Sequence, residues 1–117
     1  MISVGSIVIR VTDIQRQEEF WRDALHYVAR EHEPGADFVL LRPPDGNSVN
    51  VSLDQVPSTY ELPPRIHLDL YANNQAAEVA RLKNLGASEV HWDKRPTDAD
   101  YVIMADPEGN RFCVVQV

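Results

Sequence analysis

The sequence has little that would support a disulfide, a membrane span or a phosphate-binding loop. Cys113 is its one cysteine. No intrachain disulfide can form, which fits a reducing compartment. No stretch approaches the ~20 apolar residues that a membrane span needs. Basic residues are in the minority: 11 Lys and Arg stand against 18 Asp and Glu, for a formal net charge of −7. A phosphate backbone or an anionic bilayer would be repelled, so neither nucleic acid nor membrane is an expected partner. Glycines number 5. They form no phosphate loop, and neither a nucleophile elbow nor an HExxH helix is present. Nucleotide-dependent, serine-hydrolase and metalloprotease chemistries are disfavoured. The opening segment, Met1 to Arg10, lacks a basic region followed by a long apolar run and reads as a strand, not a signal peptide. A cytoplasmic location is expected.

What is present is an ordinary globular composition, 44% hydrophobic and 25% charged over 117 residues. That length suits a single domain, 1–117, able to hold a core without staples.

The strongest signal is an internal repeat. Ser6-Ile-Val-Ile-Arg-Val-Thr-Asp13 matches His67-Leu-Asp-Leu-Tyr-Ala-Asn-Asn74, an offset of 61 (67 − 6). Val39 to Asn50 matches Val102 to Cys113, with Pro-Asp-Gly-Asn against Pro-Glu-Gly-Asn, an offset of 63 (102 − 39). The two-residue difference reads as a loop insertion. Pro57 to Pro64, with three prolines in eight residues, reads as a stiff linker between halves of about 1–56 and 64–117.

Each half reads the same way. Asp13 caps a helix with Ile14, Trp21, Ala24, Leu25 and Val28 on one face. Asn73 or Asn74 caps a second, with Ala76, Val79, Ala80 and Leu85 inward and Gly86 as its stop. Short strands follow each helix, and turns at Asp45-Gly46 and Glu108-Gly109 close hairpins. The expected class is α+β: two β-α-β-β-β repeats forming a cupped mixed sheet, with helices on the outer face.

Strand alternation then sorts the faces. Ile66, Leu68, Leu70 and Ala72 oppose Arg65, His67, Asp69 and Tyr71. Ile7, Ile9 and Val11 oppose Ser6, Val8, Arg10 and Thr12; Val49, Val51 and Leu53 oppose Ser48, Asn50, Ser52 and Asp54. The apolar faces belong under the helices. The polar faces fit either a sheet with one side in water or the lining of a ligand cup.

The repeat, the strand-Asp-helix opening with Phe20-Trp21, and the turn Asp106-Pro-Glu-Gly-Asn110 together resemble the glyoxalase/bleomycin-resistance/extradiol-dioxygenase (vicinal oxygen chelate) superfamily. His67-Leu-Asp-Leu, Leu85-Gly86-Ala87 and Asp106 to Cys113 look like its small glyoxalase-like branch. The resemblance implies a cupped sheet, a homodimer and a central divalent metal held from four equivalent strand positions. Those positions fall here on Ser6, Asn50, His67 and Cys113. Only His67 suits the family's usual His, Gln or Glu. A catalytic metal wants about three ligands from imidazole, carboxylate or thiolate. No metal or other cofactor is therefore expected, and the cup is expected to bind a small organic ligand. The alternative is a metal-dependent lyase, isomerase or dioxygenase with an atypical site on His67 and Cys113, aided by Asp69.

The expected ligand-binding set is Ser6, Arg10, Asn50, His67, Asp69, Trp92, Tyr101 and Cys113. His67 is the best catalytic candidate. Its ring is either satisfied by Asp69 or a backbone group, or it serves as a pocket hydrogen-bonder or general base. Asp69 needs a partner if buried, and Arg10 or Arg111 would supply an ion pair. Cys113 is more readily a small buried apolar residue than a nucleophile. Trp92 and Tyr101 flank the charged loop Asp93 to Asp100, which is either simply solvated or a flap over the cup. His26, His32 and His91 have no ligand spacing.

Overall fold

The computed structural model describes residues 4–55 and 66–117. The proline-rich segment Pro57 to Pro64 lies outside them. The chain divides into two units, Met1–Tyr60 and Glu61–Val117.

The first unit runs β1 (Ser6–Val11), α1 (Ile14–Leu25), β2 (Val28–Ala29), β3 (Phe38–Arg42) and β4 (Asn50–Gln55). The second runs β5 (Leu68–Ala72), α2 (Gln75–Leu85), β6 (Ser88–Glu89), β7 (Tyr101–Ala105) and β8 (Arg111–Gln116). Each is a β-α-β-β-β module with its own four-stranded mixed sheet, in the orders β1-β4-β3-β2 and β5-β8-β7-β6. The crossover through the helix makes β1 parallel to β4 and β5 parallel to β8. The hairpins make the other pairings antiparallel. The α+β class and the repeat are as the sequence leads one to expect.

Both helices start on Asx caps. The Asp13 carboxylate accepts from the Arg16 N–H at 3.2 Å and the Asn74 side chain from the Ala77 N–H at 3.1 Å. Each satisfies an amide that has no partner within its helix. Both helices end on a left-handed residue, His26 (φ 56°) and Gly86 (φ 117°). Each helix packs on its own sheet, α1 on β3 and β4, and α2 on β8. Phe20, Trp21 and Ala24 join Val39, Leu41, Val51 and Leu53 in the first core. Phe20 and Trp21 meet edge to face, 5.2 Å between centroids. Val79 and Leu82 join Met104, Phe112 and Val114 in the second.

The helix faces differ from the expected ones: in α1 Gln17 and Phe20 are buried beside Trp21 and Ala24, while Ile14 and Leu25 are half-buried. Val28 lies beyond the left-handed break at His26 and belongs to β2. In α2 the inward residues are Val79 and Leu82, whereas Ala76 and Ala80 are exposed and Leu85 is half-buried. Burial scales with apolar area, so the large Val79 and Leu82, three residues apart, set the helix rotation over two alanines.

The repeat register also needs correction. Val11 pairs with Gln55 as Ala72 pairs with Gln116. The Gln55 side-chain Oε1 accepts from the Ile14 N–H at 3.2 Å as Gln116 Oε1 accepts from the Gln75 N–H at 2.9 Å. The offset at β4 and β8 is therefore 61 (116 − 55), the same as at β1 and β5. Only β3 and β7 keep 63, since Leu40 pairs with Ser52 as Ile103 pairs with Cys113. Two length changes cancel: the second module is longer before β7, the first between β3 and β4. The counterpart of Cys113 is thus Ser52, and that of Asn50 is Arg111.

Candidate functional site

The second sheet shows most plainly how alternation builds a site. Phe112 and Val114 of β8 are buried, and Leu68 and Leu70 stand beside them in register. The odd-numbered residues are thrown to the other face. These are His67, Asp69 and Tyr71 from the β5 side, Arg111, Cys113 and Val115 from β8, and Tyr101, Ile103 and Ala105 from β7. Cys113 lies in register between Asp69 and Ile103.

On this open face His67 Nε2 is 3.1 Å from Asp69 Oδ1, with side chains 47% and 50% exposed. The partner of Asp69 is therefore this histidine and not an arginine. Two residues apart on one strand side, the imidazole and carboxylate reach each other without help from another element. Cys113 completes a group: donor atoms of His67, Asp69 and Cys113 all lie within 4.8 Å of one another. Partial burial, and then the Asp69 charge, push the Cys113 thiol up from its ordinary value. Both disfavour the thiolate, so at neutral pH Cys113 is a thiol and a weak nucleophile. Tyr71 adds an aromatic side chain 75% exposed.

The loop Asp93 to Asp100 is pinned, and the residue that pins it is Arg95, which sequence reasoning passed over as one charge among several. Its Nε donates to the Tyr101 carbonyl at 2.8 Å and its guanidinium lies 5.5 Å from the Tyr101 ring centroid. The Asp100 carbonyl accepts from the Gln116 N–H at 2.8 Å and from Gln75 Nε2 at 2.9 Å. Trp92 meets the loop through its backbone carbonyl, which accepts from the Arg95 N–H at 3.0 Å, and its ring is half exposed. His91 pairs with Asp93 at 2.7 Å, both almost fully exposed.

The first module carries the other expected residues on the matching face of its own sheet. Ser6 stands opposite Asn50, and Arg10 opposite Asp54. The Ser6 hydroxyl is 2.6 Å from that of Ser52, and Ser52 is buried. Sequence reasoning placed Ser52 on this face but gave it no role.

A protein-family model described as a glyoxalase-like domain matches residues 6–115. The chain belongs to this family. No curated protein matches it by sequence. Solved structures share the fold of this glyoxalase-like chain at low identity. A member of the glyoxalase/bleomycin resistance protein/dioxygenase superfamily from Sphaerobacter thermophilus is 24% identical, with TM-score 0.68 and coverage of 100% of this chain and 98% of that one. TnmS3, an antibiotic-binding protein from Streptomyces sp. CB03234, is 21% identical, with TM-score 0.68 and coverage of 99% and 96%. A family enzyme from Burkholderia phytofirmans is 16% identical, with TM-score 0.73 and coverage of 97% of both.

With the register corrected, the four strand positions that the family resemblance assigns to a metal are Ser6, Ser52, His67 and Cys113. The first two are neutral hydroxyls bonded to one another. They offer a divalent ion neither charge nor a strong donor, so this four-residue set does not fit the family's metal. Among the described residues no helix is long and apolar enough to cross a membrane.

Proposed function

We propose that this glyoxalase-like protein binds a small organic ligand on the open face of its second sheet, around His67 and Asp69, without a metal at the four family positions. The observation that carries the reading is the His67–Asp69 pair: a polar couple, half exposed, at 3.1 Å on the face that α2 leaves free. With Nε2 protonated toward Asp69, the histidine keeps Nδ1 as an acceptor, and the carboxylate keeps further lone pairs. Tyr71 offers contact area for an apolar or aromatic part of the ligand. The fold precedent is TnmS3, which is described as antibiotic-binding. A binder is favoured over a covalent catalyst because Cys113 is held as a thiol.

Ligand-observed NMR on a mixed library of small molecules, with EDTA present, tests this. Hits on the wild type that disappear in both His67→Ala and Asp69→Asn support it. Hits indifferent to both substitutions move the site off this face and contradict it.

A second reading is favoured by one observation, the convergence of His67, Asp69 and Cys113 within 4.8 Å. Nitrogen, carboxylate oxygen and sulfur form a donor set that zinc accepts, leaving a fourth position open. Bound there, the ion would supply Lewis-acid polarisation of a substrate oxygen. The three residues would hold it, and all come from the second module. Elemental analysis after incubation with zinc and desalting separates the readings. Near-stoichiometric zinc that is lost in Cys113→Ser favours the enzyme, and no retention favours the metal-free binder.

A further inference from the structure

The open face of the second sheet has an arginine whose Nε finds no acceptor among the described residues. Arg111 opens β8, and with His67 it stands one residue before the paired Leu68 and Phe112. It shares its face with Cys113 two residues on. Its Nε is closed to solvent and has no hydrogen-bond partner among the described residues. A guanidinium keeps its charge at any pH a protein meets, and a charged donor buried without an acceptor is disfavoured.

The neighbouring carboxylates are committed elsewhere. Asp69 bonds to His67 and lies in register with Cys113, not with Arg111. Asp106 closes its own turn, accepting from the Glu108 and Asn110 amides at 2.9 Å each and from Asn110 Nδ2 at 2.8 Å. Across the ladder Arg111 faces Ala105, which has no polar side-chain atom. Acids are not scarce, with 18 against 11 basic residues, so the unpaired state is a matter of placement.

We infer that Arg111 is an anion anchor: the ligand of this face carries a carboxylate, or an oxyanion of similar geometry, which Arg111 receives while His67 and Asp69 bond to a neighbouring polar group. The inference rests on the proposed ligand site and adds its charge class. The planar donor fork of arginine matches a carboxylate or phosphate in two parallel hydrogen bonds. Because Nε is closed to solvent, the two parallel bonds fall to the terminal amino groups of the guanidinium. The spacing from Arg111 to the Asp69 position, two residues along and one strand across, is roughly 8 Å, the reach of a small organic acid.

The test follows the Arg111 Nε–H signal and the Cys113 amide in ¹H–¹⁵N spectra, with EDTA at constant ionic strength. The probes are benzoate, inorganic phosphate and, as the uncharged isostere, benzamide. Saturable shifts of both signals with benzoate or phosphate are expected, with benzamide at least about tenfold weaker, which is one decade in Kd. Benzoate and phosphate separate a carboxylate preference from a phosphate one. In Arg111→Gln the Cys113 response to the anion should vanish, and in Arg111→Lys it should survive in weakened form, which guards against loss by misfolding. Benzamide acting as strongly as benzoate overturns the anion anchor while leaving a ligand site on this face. No shift at Arg111 with either anion also overturns it, and library hits that still depend on His67 then show the ligand site standing without it.

Discussion

Ser6 and Ser52 close a 2.6 Å hydroxyl pair at the positions that His67 and Cys113 hold 61 residues later. One strand geometry thus carries two chemistries, a self-satisfied pair of alcohols in the first module and an imidazole near a thiol in the second. Ser52 is buried, whereas Ser6 is partly exposed. Removing Ser6 leaves a buried hydroxyl unpaired, while removing both leaves none. Ser6→Ala should therefore cost about 1–3 kcal/mol, and Ser6→Ala with Ser52→Ala less than the single change. Urea unfolding of the three variants checks this. A double variant less stable than Ser6→Ala would contradict it.

Cys113 should react slowly with thiol reagents at neutral pH. Burial comes first among the causes of its raised pKa, and Asp69 second. Asp69→Asn removes only the second, so the alkylation rate by iodoacetamide should rise while the thiol stays less reactive than a free cysteine. An increase of roughly twofold to tenfold is expected, because one pKa unit is a tenfold change in thiolate below the pKa. An unchanged rate would show that the carboxylate does not act on the sulfur.

His32 gives the first module a pH dependence. The Glu33 backbone carbonyl, and then the Glu18 carboxylate at 2.7 Å, raise its pKa above 6.5. The folded state then binds the proton more tightly than the unfolded chain. The stabilisation is fully present below 6.5 and is lost as pH rises through the raised folded value. The gap in urea midpoint between wild type and His32→Gln should be widest in mild acid and close on the alkaline side. A gap that widened with pH would reverse the assigned sign.

The rotation of α2 can be checked by a pair of substitutions. Leu82→Ala, in the core, should cost about 2–5 kcal/mol. Ala80→Gln, on the exposed side, should stay within about 0.5 kcal/mol of wild type. Comparable losses at both positions would return Ala80 to the buried face.

Much of this was legible in the sequence, for reasons that differ residue by residue. The modules show because each strand ends in an Asx cap and each hairpin in a Gly-containing turn, and these devices recur in order. His67 and Asp69 show as face-mates because a strand alternates strictly. Ser52 was not legible as the counterpart of Cys113, since two compensating length changes leave the motifs aligned while the strand register moves by two. Leu82 was obscured by alanines at helical spacing, whose small area does not decide a rotation. Arg111 lies inside the Asp106 to Cys113 motif, but the motif says nothing of its partners. That its Nε has no acceptor among the described residues is a property of the folded neighbourhood, in which Asp69 has turned to His67 and Asp106 to its own turn.

The most direct test of the central claim, a metal-free ligand site around His67 and Asp69, is a residue-level chemical-shift map. Compounds found by ligand-observed screening are titrated into ¹⁵N-labelled protein with EDTA, in wild type and in His67→Ala. The account predicts saturable shifts centred on His67, Asp69 and Cys113 that collapse in the variant. Shifts centred elsewhere, or binding that appears only after zinc is supplied, would contradict it.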